Sequence, residues 1–414
     1  MKTGPSIDSL PLAWLFVDMN SFFASVEQQL RPELREMPVA VIPVESDGSC
    51  VIAASREAKR FGIKTGTGVR EARVLCPGIR FVKARPAEYV RSHHAIAVSI
   101  NRHALIHKAY SIDEWAIRLC KAQRGAHQAV ELGQQIKAQI LQDHGACITC
   151  SIGIAPTRLL AKIGSDLQKP DGMTVLEIRD LPDRFEGHSL QSLVGIGAGM
   201  VKRLESNGVR TIRDLWGLDR RQSVAVWGSV SGAQWWAGFH GIDEPEISTR
   251  RRSMSHSNVL EPRFRNEAGA RGILTRLVCR LGGRLRSDGY LATALSVSVS
   301  DDRDEAFSSS LELPSVQDNA SLLEAFYRLW KRREVGARPP WQVGAVVSGL
   351  VPVGQVAGNL FERADRSVRL SRTIDAIHGK WGLSSIYVGS MHHVRQPMDD
   401  KIAFGRIPSS REAL

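Results

Sequence analysis

The feature that most constrains the fold is a continuous apolar run, AWLFV at residues 13–17, that ends abruptly in Asp18. A strand without polar alternation is buried on both faces, so its sheet needs covering layers on both sides. Two adjacent aromatic residues, Phe22 and Phe23, follow after a short polar step. A structural protein has little use for a carboxylate at the end of a buried strand beside two aromatic rings. The pattern therefore predicts a site that holds a metal and a flat, sugar-bearing substrate.

Strand patterns alternate with helix patterns in the first part of the chain. Two apolar segments flank Asp47-Gly48, which favours a hairpin, and Ser55 can cap a short helix after it. EWAIRL (114–119) alternates as a half-buried strand does. CITCSIGIA (147–155) predicts another strand, which runs into a helix that stops before Pro170. This order is typical of an α+β or α/β core.

At 414 residues the chain is too long for one ordinary hydrophobic core, and two to four domains are expected. Beyond about residue 180 the pattern becomes helical, with a tight Gly-Ile-Gly break within 192–218. Residues 247–257 are polar, basic and poorly periodic, which predicts a linker. A helix over 268–286 and several alternating strands follow. The last twenty residues are polar and expected to be loose.

Positive charge is both large and clustered. The formal net charge is +12, and residues 250–290 hold ten arginines and no lysine against three acids. Solvated charged surfaces usually mix the two signs, so this clustering favours a polyanionic partner, with nucleic acid as the leading candidate.

Other partners and compartments are less compatible with the composition. No segment approaches the about 20 apolar residues that cross a bilayer, so no membrane association is expected. The apolar run near the N-terminus is short and ends in an acid, which argues against a signal peptide. Six scattered cysteines suggest a reducing, cytoplasmic environment.

Asp113 and Glu114 are adjacent and stand just before the strand pattern that starts at Trp115. Adjacent carboxylates are often a solvated turn, but here the pair enters an apolar strand, as Asp18 leaves one. Three carboxylates at one sheet edge repel each other unless a cation neutralises them, and oxygen-only ligands suit Mg²⁺. Two such ions about 3.5–4 Å apart would activate an attacking hydroxyl and stabilise a leaving pyrophosphate.

Several motifs, in the same order along the chain, resemble those of the Y-family (translesion) DNA polymerases, and the resemblance spans roughly residues 12 to 390. They are the strand ending in Asp18, the SFF step, YSIDE, GIAPTRLLAKIGSDLQKPDG and GIGAGMVKRL. Within the family the chain looks most like the UmuC branch, the catalytic subunit of DNA polymerase V, and next like the DinB branch (polymerase IV). Asn20, DGSCVIAASREAK and the NLF segment lean toward UmuC, because DinB relatives usually carry aspartate at position 20.

The resemblance implies an α+β multidomain fold, a right-hand polymerase with palm, small fingers, a helical helix-hairpin-helix thumb and an α/β little finger. The implied domains are the palm at 1–22 and 88–178, fingers at 23–87, thumb at 179–246, linker at 247–257, little finger at 258–392 and a flexible tail at 393–414.

The family's metal-binding carboxylates correspond to Asp18, Asp113 and Glu114, which are also the implied catalytic residues, and a backbone ligand corresponds to the carbonyl of Met19. The implied cofactor is a pair of Mg²⁺ ions. Phe23 falls at the steric gate, the aromatic residue whose ring excludes a 2′-hydroxyl.

The resemblance also implies a set of triphosphate-binding residues: Phe22, Phe23, Ser55, Arg56, Lys59 and Lys169. Alternatives remain for some of them. Phe22 can serve packing instead, Lys169 can be a surface lysine at a helix C-terminus, and Arg56 can face solvent. Lys162 and Asp166, four residues apart, can either pair with each other or lie near the primer terminus.

Two regions are expected to bind DNA. In the helix-hairpin-helix, Gly195, Gly197 and Gly199 let the backbone approach a phosphate, and Lys202 and Arg203 add charge. On the arginine-rich helix, Arg276, Arg280 and Arg284 form one row beside an apolar row, and this part resembles the little finger. Leu360 and Phe361 lie where UmuC relatives carry a sliding-clamp peptide, although its leading Gln is replaced by Ala357. A hydrophobic loop packed on its own domain is the alternative.

The resemblance therefore implies low-fidelity, template-directed DNA synthesis past damaged bases, in DNA repair and SOS mutagenesis, with primer–template DNA and dNTPs as substrates. It leaves open whether a sliding clamp, a UmuD-like dimer and RecA take part. Three alternatives are a non-catalytic accessory relative that binds DNA, clamp and a replicative polymerase, a repair factor that only binds DNA, and a nucleotide cyclase with a similar palm. The carboxylates argue against the first, and the extent of the match argues against the others.

Overall fold

The computed structural model describes residues 10–245, 250–303, 306–334, 338–355, 362–382 and 385–395. They fall into two units, one within 10–245 and the other within 250–395. In these ranges no helix combines the length and the apolar composition that spanning a membrane requires.

The first unit contains eight strands and ten α-helices among its described residues. The strands are β1 (Trp14–Met19), β2 (Val39–Ile42), β3 (Ala53–Ala54), β4 (Arg80–Lys83), β5 (Ile106–Ser111), β6 (Glu114–Arg118), β7 (Cys150–Ala155) and β8 (Met173–Val175). The helices are α1 (Phe22–Leu30), α2 (Arg56–Lys59), α3 (Val69–Leu75), α4 (Pro86–Asn101), α5 (Ala126–His144), α6 (Arg158–Leu167), α7 (Ala198–Ser206), α8 (Ile212–Trp216), α9 (Arg220–Trp227) and α10 (Ser231–Phe239).

Strand β1 is the centre of a five-stranded sheet with the order β5-β6-β1-β7-β8. All six of its residues are buried, which confirms the prediction from its apolar run. Leu15 and Val17 join one hydrophobic cluster with α1, α4 and α5, whereas Trp14 and Phe16 join another with α6 and the helices after it. Because successive side chains of a strand point to opposite faces, both faces of the sheet are covered.

Strand β6 is more deeply buried than its alternating pattern predicts. Trp115, Ala116 and Ile117 are all buried, so the expected half-buried strand is wrong. Ala116 belongs to the cluster on the α6 side of the sheet, and its small side chain lets that layer approach. Only Arg118 at the end of the strand is exposed.

Gly153 of β7 lets α6 lie directly on the sheet. A Cβ atom at this position would stand 1.9 Å from the carbonyl oxygen of Ala161 and 2.4 Å from the backbone nitrogen of Ser165. Glycine is therefore required by the close approach of the two backbones, and this approach sets the position of the side chains on α6.

A smaller three-stranded sheet has the order β3-β2-β4. Its strands lie between β1 and β5 in the sequence. β2 and β3 are antiparallel, as the hairpin signal predicts. Ser55 caps α2, because its hydroxyl accepts a hydrogen bond from the backbone N–H of Ala58. The predicted palm–fingers boundaries, at 22/23 and 87/88, both fall inside helices, α1 and α4.

Four short helices, α7 to α10, follow in the region predicted to be helical. α7 begins after the Gly-Ile-Gly turn, and Gly195 in that turn has φ +87°, a conformation that favours glycine. Trp235 on α10 fixes the turn, since its indole N–H donates to the carbonyl oxygen of Val194 at 3.1 Å.

The second unit is an α/β layer structure. Its elements are β9 (Ser253–Val259), α11 (Glu267–Asp288), β10 (Tyr290–Ser300), β11 (Ala306–Val316), α12 (Asn319–Trp330), β12 (Gln342–Ser348), β13 (Val351–Pro352) and α13 (Glu362–Trp381). The antiparallel sheet has the order β11-β10-β12-β9, and α11 and α12 share its hydrophobic core. The predicted helix over 268–286 is confirmed, with Asn266 as its cap.

Two predicted flexible segments are partly structured. β9 occupies positions 253–257 of the predicted linker and pairs with β12, so the linker prediction is wrong for those residues. The strand was hard to recognise in the sequence because Ser253, Ser255 and Ser257 are polar and exposed, although Met254 is buried. The predicted tail at 393–414 starts too early as well, since Val394 is buried and His393 contacts the carbonyl oxygen of Ala268. Residues 396–414 lie outside the described ranges.

Candidate active site

The three predicted carboxylates lie at one edge of the large sheet. Asp18 of β1 is the register partner of Glu114 of β6. The backbone N–H of Met19 donates to the carbonyl oxygen of Asp113 at 3.0 Å, which places these two residues side by side. Antiparallel pairing of β1 and β6 thus brings together groups that are almost a hundred residues apart in the chain.

Two lysine ammonium groups neutralise these carboxylates. Lys162 of α6 contacts Asp18, and its Nζ lies 2.9 Å from Glu114 and 3.3 Å from Asp166. The Nζ atom of Lys169 lies 2.8 Å from Asp18 and 2.7 Å from Asp166. Burial alone would lower the pKa of Lys162, but the three carboxylates outweigh that effect and raise it. Lys162 therefore stays protonated at the centre of the cluster.

Asp113 is the carboxylate in the least favourable surroundings. Burial raises its pKa, and the negative charges of Asp18 and Glu114 raise it further. Two interactions act the other way, a hydrogen bond of 2.5 Å from the hydroxyl of Ser111 and the charge of Lys162. A carboxylate held in this way gains from any further cation that comes close.

The donor set suits a hard divalent cation, because it consists of carboxylate oxygens and backbone carbonyls without sulfur or imidazole. In the described part of the chain, no group of three or more His, Cys, Asp or Glu side chains is arranged as a metal site. The ammonium of Lys162 instead gathers Asp18 and Glu114 around itself. The residues thus fit a divalent cation by chemistry and charge. In this structure the Lys162 ammonium supplies part of the positive charge that such a cation would bring.

Phe23, the predicted sugar gate, is half-buried and rests on a second aromatic ring. Its ring is stacked on that of Tyr89, with centroids 4.3 Å apart and planes inclined by 11°. The Tyr89 hydroxyl bonds to the buried carboxylate of Glu27 at 2.8 Å, and Arg85 binds the same carboxylate through two hydrogen bonds of 3.0 and 2.7 Å. The Phe23 ring is therefore supported by the Tyr89 ring, which its hydrogen bond to Glu27 holds in place.

Two residues assigned to the triphosphate site are engaged elsewhere. The Phe22 side chain is only 3% exposed and belongs to the core, which agrees with the packing alternative. The Ser55 hydroxyl is fully buried, accepts from the N–H groups of Ala58 and Val39 and donates to the carbonyl of Met37. Both side chains therefore serve the fold in this structure, and a contact of either residue with a triphosphate stays a prediction.

Lys59 stands next to the carboxylate cluster from the side of α2. Partial removal from solvent lowers its pKa most, and the positive charge of Lys169 lowers it further, whereas Asp18 and Asp113 raise it. Lys59 is exposed as a whole, so its ammonium is close to these groups but still open to solvent. Two lysines that repel each other at one place form a natural site for an anion. Arg56 is exposed on the same helix, which is compatible with both of its alternatives.

Three further residues at the site carried little signal in the sequence. Tyr89 and Glu27 support Phe23, and Asn20 joins two loops beside Asp18. The one clue to Glu27 in the sequence was an acidic residue within the apolar pattern of α1. The sequence left two alternatives for Lys162, pairing with Asp166 or a position near the primer terminus. Its contacts with Asp18 and Glu114 depend on how α6 crosses the sheet.

The helix-hairpin-helix residues are on the surface of the first unit. Gly195, Gly197 and Gly199 are exposed, as are Lys202 and Arg203. The first N–H groups of α7 have no acceptor within the helix, which suits an anion. Arg203 also donates to the carbonyl oxygen of Trp227 at 2.9 Å, so part of its role is to hold α9.

The predicted arginine row on α11 is less open than expected. Arg276, Arg280 and Arg284 are half-buried, and all three have intramolecular interactions. Arg284 donates to the carbonyl oxygen of Ser255 on the edge strand β9 at 2.9 Å. Binding of DNA by this row remains a prediction. Leu360 and Phe361, the predicted clamp anchors, lie outside the described residues.

Models of known protein families match both units. The model described as the impB/mucB/samB family matches residues 17–166, and the model of the C-terminal domain of that family matches residues 251–360.

Curated relatives match nearly the whole chain. The DNA polymerase IV of Moorella thermoacetica is 34% identical over 380 residues, which cover 89% of this chain and 93% of the relative. The DNA polymerase IV of Pelotomaculum thermopropionicum is 31% identical over 385 residues, or 90% and 93% of the two chains.

Solved structures support the same fold. A Y-family DNA polymerase chimera of Dbh and Dpo4 has a TM-score of 0.68 and 23% identity, and the match covers 82% of this chain and 99% of the chimera. An insertion ternary complex of Dbh DNA polymerase has a TM-score of 0.55 and 21% identity over the same shares. The multidomain α+β architecture of a polymerase with palm, fingers and little finger is therefore confirmed.

The expected placement in the UmuC branch is not supported, because these relatives are DNA polymerase IV proteins. Asn20 had favoured UmuC, and in the structure its side chain bonds to Ser151 and to the backbone of Asp171. Two family models, and a relative 34% identical along nearly its whole length, show that the chain belongs to the Y family of DNA polymerases.

Proposed function

We propose that the protein extends a DNA primer past damaged template bases, with dNTPs as substrates and Mg²⁺ as its metal. The observation that carries this proposal is the convergence of three carboxylates with Lys162 and Lys169 at one sheet edge. A site of this kind handles a metal and a polyphosphate together.

Asp18, Asp113 and Glu114, with the carbonyl of Met19, are the residues that would hold Mg²⁺. When bound, Mg²⁺ neutralises the reacting phosphates and stabilises charge on the attacking and leaving oxygens. Lys162 limits the repulsion between Asp18 and Glu114, so the carboxylates stay together without a metal. The site is thus preorganised before the substrate binds.

The triphosphate of the nucleotide would lie between Lys59 and Lys169. The two lysines already face one region of the site, and the pKa of Lys59 is lowered partly by the charge of Lys169. An anion between them removes this repulsion. Lys169 would then exchange its carboxylate partners, Asp18 and Asp166, for phosphate oxygens. Arg56 is exposed on α2 and is proposed as a further phosphate contact.

Phe23 would select the sugar. Its stacking on Tyr89, and the link from Tyr89 to Glu27 and Arg85, leave the ring little freedom to retreat. A ribonucleotide carries an additional hydroxyl that such a fixed ring would exclude by contact.

We further propose that the exposed glycine turn before α7, with Lys202 and Arg203, contacts duplex phosphates without reading sequence. In this proposal the palm consists of residues 1–22 and 88–178. The fingers are residues 23–87, the thumb 179–246 and the little finger 258–392. Arg276, Arg280 and Arg284 on α11 are also proposed to contribute to DNA binding.

A role in SOS mutagenesis, with a sliding clamp, a UmuD-like dimer or RecA as partners, is a further proposal that rests on the family relationship. A cytoplasmic location agrees with the fact that all six cysteines are unpaired.

The experiment that tests the proposal is primer extension on a template with an abasic site, with Mg²⁺ and dNTPs. The matched control is the double variant Asp113→Asn/Glu114→Gln. Bypass by the natural protein and none by the variant would establish metal-dependent translesion synthesis. If neither protein extends a primer on damaged or undamaged template while both still bind it, the polymerase proposal fails for the chain alone and an accessory role is favoured.

A further inference from the structure

Asn20 links the end of β1 to the turn that carries Lys169. β1 ends at Met19, and the next residue, Asn20, is 8% exposed. Its side-chain oxygen accepts a hydrogen bond of 2.6 Å from the backbone N–H of Asp171. Residue 20 thus connects the segment after Asp18 with the segment after Lys169, across about 150 positions of sequence.

The orientation of the Asn20 amide is determined by chemistry. A backbone N–H can only donate, so the Asn20 oxygen must face Asp171. The amide nitrogen then faces the hydroxyl of Ser151, at 3.1 Å, and the same hydroxyl lies 3.1 Å from the Asn20 oxygen. Ser151 is buried on β7, next to β1, so the contact rests on the sheet itself.

The turn at 168–172 is tight and is held from two sides. A Cβ atom on Gly172 would stand 2.1 Å from the carbonyl oxygen of Gln168, so no side chain fits at this position of the turn. Asp171 has φ +60°, an uncommon conformation for a residue other than glycine. On its far side Asp171 forms an ion pair of 2.9 Å with Lys137 of α5. Asn20 supplies the anchor on the side of the active site.

We propose that Asn20 is a positioning residue for nucleotide binding, because it fixes the turn that directs Lys169 at the site. This inference rests on the proposed role of Lys169 as a triphosphate contact. Asn20 would not touch the nucleotide. Its effect would be confined to the placement of the Lys169 ammonium, which lies 2.8 Å from Asp18 in this structure.

The test is a double-mutant cycle on primer extension, with Asn20→Ala, Lys169→Ala and the combination. Asn20→Ala should raise KM for dNTP about tenfold, with a smaller change in kcat. In the Lys169→Ala background the same substitution should change KM by less than about twofold, because its effect acts through Lys169. An equal effect in both backgrounds would overturn the inference.

Two comparison variants separate positioning from general damage. Asn20→Asp keeps an acceptor for the Asp171 N–H and should restore most of the nucleotide affinity. Asn101→Ala removes a similar bond, which the N–H of Ile106 donates to the Asn101 side-chain oxygen at the other end of β5, and should leave KM unchanged. Hydrogen exchange gives a readout without catalysis, since the Asp171 amide should exchange faster in Asn20→Ala and stay protected in Asn20→Asp. Unchanged protection in Asn20→Ala would contradict the proposal.

The outcomes distinguish this inference from the proposed function. If the natural protein extends primers in a manner that depends on Asp113 and Glu114, but Lys169→Ala leaves KM unchanged, the inference fails and the polymerase proposal stands. If the natural protein extends no primer, both fail. The half-saturating Mg²⁺ concentration should not change in Asn20→Ala, and a large increase would mean that Asn20 acts on the metal ligands instead.

Discussion

The carboxylate cluster of the first unit and the arginine row of the second unit both follow from charge patterns, but they behave differently in the structure. Asp18, Asp113 and Glu114 meet at one place, as expected. Arg276, Arg280 and Arg284 share a helix face, yet they are half-buried and all three have intramolecular interactions.

The difference lies in what fixes each set. Strand ends and antiparallel pairing determine where the carboxylates go, and the apolar strands reveal the strand ends in the sequence. A helix face is equally well defined, but which neighbour it meets depends on the fold around it. Clustered arginine therefore indicates a polyanion less directly than clustered carboxylate indicates a cation.

The strongest test of the first half of this comparison is Asp113→Asn. Loss of a metal ligand should reduce primer extension by about a thousandfold or more, as expected when several kcal/mol of charge stabilisation are removed. Steady-state extension rates on undamaged template measure this effect. A variant within tenfold of the natural protein would show that Asp113 does not hold the metal.

The same variant should be more stable without metal. A folded-state pKa raised above the unfolded value means that the ionised form of Asp113 disfavours the folded state at neutral pH. Removing the charge should therefore raise the free energy of unfolding in EDTA, by about 1 kcal/mol, measured by urea titration. Lower stability of Asp113→Asn would mean that the Ser111 hydrogen bond outweighs the repulsion.

His93 supports the loop that carries the carboxylates, and it should make stability depend on pH. Its ring is stacked on Trp115, its Nδ1 lies 2.7 Å from the carbonyl oxygen of Ile112, and burial lowers its pKa to about 4. The unfolded chain takes up a proton near pH 6.5, so stability should fall as the pH drops from about 6.5 to about 4, by roughly 3 kcal/mol in total.

The measurement is the free energy of unfolding at several pH values, for the natural protein and for His93→Gln. The variant cannot ionise and should lose most of this difference between pH 6.5 and 4. An unchanged slope would assign the pH dependence to other groups.

Phe23→Ala tests the sugar gate. Without the ring, discrimination between dNTP and rNTP, measured as the ratio of kcat/KM values, should fall by about 100-fold, the size of a steric effect in a fitted pocket. Phe22→Leu is the matched control, because Phe22 belongs to the core and should leave the ratio nearly unchanged. Equal discrimination in Phe23→Ala would remove Phe23 from that role.

A modest effect is expected for the arginine row, and it sharpens the second half of the comparison. Arg284→Ala should destabilise the protein by about 1–2 kcal/mol, because it removes the bond to Ser255 on the edge strand. Arg271→Ala, at an exposed position of the same helix, is the control for helix and charge. If Arg284→Ala instead leaves stability unchanged and reduces the salt dependence of DNA binding, the row is a DNA contact after all.

The sequence by itself determined the elements that depend on local chemistry. Several local features were readable, because each leaves a pattern within a few residues. They are the apolar run before Asp18, the acids before the Trp115 strand, the Ser55 cap and the tight glycine turn at 195–197. The long motifs shared with a polymerase family were readable as well, and they implied which carboxylates meet at the candidate site.

The tertiary structure alone decided which distant groups meet. Lys162 reaches Asp18 because Gly153 lets α6 lie on the sheet, and Asn20 reaches Asp171 because two loops end side by side. Tyr89 stands behind Phe23, and Arg284 turns to β9, for the same reason. Contacts of this kind depend on how whole elements pack, and packing leaves no periodic signal at the residues it brings together.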